Sequence, residues 1–442
     1  MTGGGAPTAR VEHAMAPGVG SEVFLFGGQA SAVNAWDLEL PSSFYGDTWI
    51  FSVELQIWQR VECATGPGPR TGHSANTFGE SVYMYGGSRD EQPAHDLWRF
   101  DLQHRTWQAI AGSPEPPSRT LHAAAASDNV LLVHGGTTDP VSLHYPDPRC
   151  FDVWQFDLTQ QQWSAARASL VNATAAAFKC RFMHSLTGLG GVAYMFGGLA
   201  LSRPEPDSVI HFEAEVLDDL WAYNIEAQTW TPVLDTGVRP GARFDHAAVM
   251  IGQTLWVLFG RLAYGQYAPD PAWQFDPATQ AWTHIKLPAS AETPLARGGL
   301  AIATSDDSNI VLFGGESRLS INVGLSFRDT WLFRPSAAQP WETANNSLFP
   351  PIRFSQSAVT LGPPDETMVV IFGGINVDSG FLNDIWSLSL TTVNGSALTW
   401  RQHVSRVRKN KRKREGRREE KEKGRGKKRR KKRKKEIRKK ER

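Results

Sequence analysis

Among the 12 His, 3 Cys and 45 carboxylates of this 442-residue chain, few groupings have types and spacings suited to chemistry. Asp207 and His211, four residues apart, offer a carboxylate and an imidazole, ligand types that suit a transition metal, but residue 203, four earlier, is Arg and adds no ligand. His144, Tyr145 and Cys150 form the one stretch that gathers an imidazole, a phenol and a thiol. Cys63, Cys150 and Cys180 lack the C-x-x-C spacing of a zinc or redox site. The patterns H-E-x-x-H, G-x-S-x-G, G-x-G-x-x-G and the phosphate-binding P-loop are all missing from the sequence. The remaining grouping is periodic: an Arg with a His three residues later occurs as Arg10/His13, Arg70/His73, Arg119/His122, Arg181/His184 and Arg243/His246, and degenerates to Arg297/Leu300 and Arg353/Gln356.

That periodicity extends to the elements that must position these groups. Fourteen of the 16 tryptophans fall into pairs, the first five of them nine residues apart: Trp49/Trp58, Trp98/Trp107, Trp154/Trp163, Trp221/Trp230 and Trp273/Trp282, followed by Trp331/Trp341 and Trp386/Trp400. Upstream of each pair runs an apolar stretch ending in a glycine doublet, as in VFLFGG at 23–28 and AYMFGG at 193–198. An Asp two residues before the first Trp recurs as Asp47, Asp96, Asp152, Asp219, Asp329 and Asp384. Groups that recur in nearly every unit serve the architecture, whereas a catalytic site should break the repeat. The recurring His residues are accordingly expected in the core or in turns, and the Arg–Asp sets as salt bridges.

Each unit predicts four short strands, a to d: a after the Arg, b the apolar run, c through the first Trp and d from the second. Strand b is apolar throughout, which fits a sheet buried on both faces. Blades stacked around an axis supply those faces. These residues resemble the kelch-repeat family, in the variety seen in the propellers of host cell factor, of Rab-effector kelch proteins and of tip-elongation proteins. The resemblance implies an all-β fold, a seven-bladed kelch-type β-propeller, with a disordered basic C-terminal tail. The expected organisation is a short extension at 1–9, a propeller at 10–404 and a tail at 405–442. Its blades would lie near 10–62, 70–112, 119–166, 181–234, 243–287, 297–344 and 353–404. Unit five departs from the pattern, with Arg261 read at the second glycine and Pro271 in place of the Asp.

The resemblance implies an interaction scaffold without a cofactor. The alternative it leaves open is a kelch-fold enzyme or metal-dependent specifier protein, akin to galactose oxidase or to the nitrile specifiers. Strand direction puts the b–c and d–a connections on one face of the ring and the a–b and c–d turns on the other. The b–c connections vary in length, most of all at 29–46, 137–151 and 199–217, and variable loops on a rigid scaffold carry specificity. Trp36, His144, Tyr145, Arg181, His211 and Arg243 are therefore the candidate partner contacts, Arg243 because its unit lacks the Asp that should neutralise it. Cys150 and Cys180 fall at the same end of adjacent blades, where a bridge could form in an oxidising compartment.

Charge divides the chain. Residues 1–404 carry 22 Lys+Arg against 39 Asp+Glu, a net of −17, while 405–442 carry 25 against 6, a net of +19. Nucleic acid is an expected partner only through this tail, and then only by phosphate contacts, because no aromatic residue is present there to stack on bases. The tail is built almost wholly from residues with purine-only codons, and its 13 Lys contrast with two in the body, so it also reads as a translated polypurine tract. No run is long and apolar enough for a membrane span, and the N-terminus lacks the apolar core of a signal peptide. The expected location is the cytoplasm, or the nucleus if the tail acts as a targeting segment.

Overall fold

A computed structural model describes residues 5–403 apart from 31–42, 90–91, 113, 138–151, 167–168, 174–176, 202–213, 235–236, 286–291, 306–308, 321–322, 338, 345–347, 363–366 and 391–397. Seven antiparallel sheets in the order a-b-c-d form the blades of a propeller. Blade one comprises Ala14–Pro17, Glu22–Phe26, Thr48–Ser52 and Ile57–Val61; blade seven comprises Ser357–Leu361, Met368–Phe372, Ile385–Ser389 and Thr399–His403. Every blade is built from consecutive strands, and Trp400 stays in its own blade opposite Leu388. The b strands are buried almost end to end, in keeping with their unbroken apolar sequence. Closure rests on packing, since Met15, Val23 and Leu25 of blade one share one core with Val359, Val370 and Phe372 of blade seven.

The repeated residues lock neighbouring blades together. Both members of each glycine doublet take positive φ, such as 62° and 99° at Gly197 and Gly198. A Cβ on Gly197 would lie 2.5 Å from the Arg243 carbonyl and 3.2 Å from His246 Cε1, both in the next blade. Only glycine combines that backbone with that approach. The second glycine's N–H then donates to the same carbonyl, at 2.9 Å for Gly198 to Arg243, and around the ring to Gly374 donating to Arg10 at 3.2 Å. The last of these bonds joins blade seven to blade one.

Two features differ from the expected regular blade. The connection from blade three to blade four adds a short strand, Ser169–Leu170, parallel to strand d of blade four (Thr229–Pro232), and so covers an outer edge that would otherwise be open. In blade five the departure from Gly-Gly lies one residue earlier than the sequence reading placed it. The positive-φ pair is Phe259 and Gly260, at 51° and 108°, and Arg261 occupies the following position, where it bridges Phe244. Phe259 has room for its side chain because the facing residue of blade six is Leu300, not His. Phe259 is fully buried, with Leu300 against the same cluster. Phe259 in place of a glycine and Leu300 in place of a histidine are thus one compensated contact.

Candidate functional site

The Arg that opens each strand a is the groups' common anchor. Its Nη1 donates to the carbonyl of the first doublet residue in all seven blades, at 2.9–3.0 Å. In blade four, Arg181 also grips Asp219 with two bonds of 2.6 and 2.7 Å, and Asp219 accepts a third from Trp221 Nε1 at 2.6 Å. Bidentate pairs of this kind recur as Arg10–Asp47, Arg70–Asp96, Arg297–Asp329 and Arg353–Asp384. Burial pushes the carboxyls of Asp47, Asp96 and Asp219 up, but the guanidinium and indole hydrogen bonds outweigh it and hold them below the ordinary carboxylate range.

Blade five lacks this pair, as its sequence predicted. Arg243 donates only to the carbonyls of Gly241 and Phe259, both at 2.9 Å, and burial pulls its pKa down to about 10 against a weak opposing effect of Asp270. Trp273 Nε1, the partner of the missing Asp, is buried without an acceptor. Asp270 faces His284 instead, at 3.5 Å.

The placement of the candidate contacts corrects the sequence reading in one respect. Arg181 and Arg243 are 0% and 1% exposed, so neither can touch a partner directly; they belong to the inner scaffold. The recurring histidines are equally internal. His13 and His73 are buried and His122 and His246 half-buried, and desolvation lowers each pKa to about 3, which keeps them neutral. His134 and His184 touch each other, Nδ1 to Nε2 at 3.1 Å, between blades three and four. Trp36, His144, Tyr145 and His211 lie outside the described residues, as do Asp207 and Cys150. Cys63 is a free thiol, and Cys180 is disulfide-bonded. Among the described residues no three His, Cys, Asp or Glu side chains cluster as a metal site. No helix of the described residues is long and apolar enough to cross a membrane.

The b–c and d–a face is where the ring leaves its surface apolar. Among the described residues, seven of the eleven exposed large hydrophobic residues are on it: Met183, Leu234, Val238, Tyr264, Leu295, Leu348 and Val377. Val171 lies on the outer edge of blade four, its N–H donating to the Trp230 carbonyl. Val19 and Leu55 belong to turns of blade one on the opposite face, and Ile57 opens strand d of that blade. Short hairpins project from the b–c connections of five blades, among them Glu316–Ser320 with Val323–Ser326 in blade six. A cavity of about 360 Å³ between the inner strands of blades three to six has Asp245, His184 and His246 in its lining. Arg261 pairs with both Asp245 and Glu316 at the junction of blades five and six. The sequence reading passed over Tyr264, Leu295 and this junction, because it treated blade five as merely irregular.

A family profile described as the KLHDC2/KLHL20/DRC7 Kelch-repeats domain matches residues 1–198 and 211–364. Similar proteins include host cell factor homolog hcf-1 of Caenorhabditis elegans, 27% identical over 40% of this chain and 24% of its own length. Human multiple epidermal growth factor-like domains protein 8 is 28% identical over 50% of the chain and 7% of its own length. Bovine Kelch domain-containing protein 3 is 26% identical over 67% of the chain and 58% of its own length. In each comparison the chain spans less than two thirds of the relative.

Proposed function

Since the chain belongs to the kelch-repeat family, whose propellers commonly serve as protein-interaction modules, we propose that it is a scaffold that holds a protein partner on the b–c and d–a face of its ring. One observation carries the choice of face: among the described residues, seven of the eleven exposed large hydrophobic residues are on it. Exposed apolar groups gathered on one side mark an interaction surface, whereas scattered ones do not. The opposite face has short turns whose residues are engaged in closing them, as where Asp101 and Asp157 accept backbone N–H groups two and three residues on. That face offers little freedom for specificity. The contacts proposed on the longest loops are Trp36, His144, Tyr145 and His211.

The test is to replace loops 137–151 and 199–217 by short turns and measure partner capture by the folded chain. Loss of the partner with an unchanged unfolding transition supports the reading. A partner retained by both variants, and also by variants with polar residues at Leu234, Val238, Tyr264 and Leu295, means that binding uses another surface.

A further inference from the structure

We propose that the junction of blades five and six, through Tyr264 and Arg318, docks an acidic segment of a protein partner that places an apolar or aromatic side chain beside its carboxylates. This deepens the preceding reading and rests on it for the face.

Tyr264 is fully exposed, at the tip of a one-turn 3₁₀ segment, Ala263–Gly265, and its φ is +57°. A left-handed backbone is costly for a bulky residue, and glycine or asparagine would relieve it. Burial inside the protein does not repay that cost, because the ring is in solvent. The turn is nonetheless fixed. Leu262 N–H donates to Gln266 O at 2.8 Å, Arg261 and Tyr267 bridge its base, and Arg261 is held by Asp245 and Glu316. A strained aromatic side chain displayed on a rigid base is prepared for an external contact, with little ordering left to lose on binding.

Arg318 supplies the charge. It is exposed on the blade-six hairpin, and its Nη1 lies 3.8 Å from where a Cβ on Gly265 would stand, so the guanidinium borders the Tyr264 turn. Several other cations of this face are neutralised, Lys179 by Glu215, Arg239 by Asp218 and Arg261 by Asp245, while Arg89 of the blade-two hairpin has no carboxylate within ion-pair distance among the described residues. Arg318 has no carboxylate within ion-pair distance among the described residues, nor does Arg328 in the same b–c connection. In a body of net charge −17, two free guanidinium groups in one connection complement carboxylates. Tyrosine and arginine side by side are also the types that dominate interface energetics.

The probe is a displayed random-peptide library selected on the full chain and counter-selected on the Tyr264→Ser/Arg318→Glu double variant, which removes peptides that bind the basic tail common to both. Enriched peptides should be rich in Asp and Glu next to an apolar residue. A synthetic copy of the leading sequence should bind at least tenfold more weakly to either single variant, with tighter binding at low salt. Arg334→Glu, in the c–d turn of blade six on the other face, should leave affinity unchanged. Tyr264→Gly should abolish binding while the unfolding transition stays level or rises. Enrichment of neutral or basic peptides, no enrichment at all, or affinity indifferent to both substitutions overturns the proposal. Peptides that map to other loops of the same face overturn this site and leave the scaffold reading standing; peptides that map to the a–b and c–d turns overturn both.

Discussion

Blades four and five are neighbours built on one plan, and they differ at the first residue of the doublet and at the acidic position of strand c. Blade four has Gly197-Gly198, with Asp219 bound to both Arg181 and Trp221. Blade five has Phe259-Gly260, with Pro271 where the Asp would stand, and leaves Arg243 and Trp273 without a carboxylate. Both fold into the same antiparallel a-b-c-d set, to which blade four adds the short outer strand Ser169–Leu170. The Arg-to-carbonyl bond and the glycine-to-carbonyl bond are therefore what the ring requires, because blade five keeps both. The carboxylate and the histidine are additions that strengthen a seam, and their loss in one seam is compatible with closure.

Acid should expose this difference most strongly. His13, His73, His122 and His246 have pKa values near 3 in the folded ring against an ordinary 6.5. Between those limits the unfolded chain binds more protons, so stability is complete above pH 6.5 and falls as pH drops. Each histidine contributes about 1.4 kcal/mol per pH unit in that window, or roughly 5–6 kcal/mol per unit for the four. The lowered Asp47, Asp96 and Asp219 act in the same direction at still lower pH. Denaturant titrations at several pH values should show the midpoint collapsing below about pH 5. Replacing His246 by Leu, copying the Leu300 seam, should flatten the slope; an unchanged slope would contradict the burial account.

The next largest effect compares the two arginines. Arg181→Met should cost about 1–3 kcal/mol more than Arg243→Met, because it strips the half-buried Asp219 of both guanidinium bonds and leaves it only the Trp221 indole, whereas Arg243→Met orphans only carbonyls and should cost about 1–3 kcal/mol. Equal losses would mean that the carboxylate adds nothing. Pro271→Asp tests the same point by gain. It should give Arg243 and Trp273 their missing acceptor and raise stability by about 1–2 kcal/mol, through charge-assisted bonds; a neutral or destabilising result would show that the blade-five backbone cannot place the carboxylate.

Most of the fold was legible in the sequence because a seven-fold repetition lets each unit check the others. Trp spacing gave strands c and d, apolar runs gave strand b, and the missing Asp of blade five was visible as Pro271. The misreading of Arg261 came from aligning on the letters around one glycine. A second signal was present: Arg70 to Gly86, Arg119 to Gly135 and Arg181 to Gly197 are each 16 residues apart, and Arg243 plus 16 is Phe259. The same bond spans 17 residues in blades one and six and 20 in blade seven, so the spacing guides only among blades two to five, which share a two-residue a–b turn. The candidate site was less legible. Loop length pointed to a face, but whether an aromatic residue such as Tyr264 turns inward or outward depends on its neighbours in space, and no periodicity records that. Arg181 and Arg243 were drawn into the contact set by charge alone, although the packing of strand a buries every member of their ring.

The central claim is that the scaffold groups obey the repeat while the partner meets the b–c and d–a face. The most direct measurement is hydrogen–deuterium exchange of the full chain alone and with its captured partner. Protection should appear in the connections carrying Leu234, Val238, Tyr264, Leu295 and Arg318, with the a–b and c–d turns unchanged. Protection confined to turns such as 79–80, 102–105 and 158–161 would contradict the account.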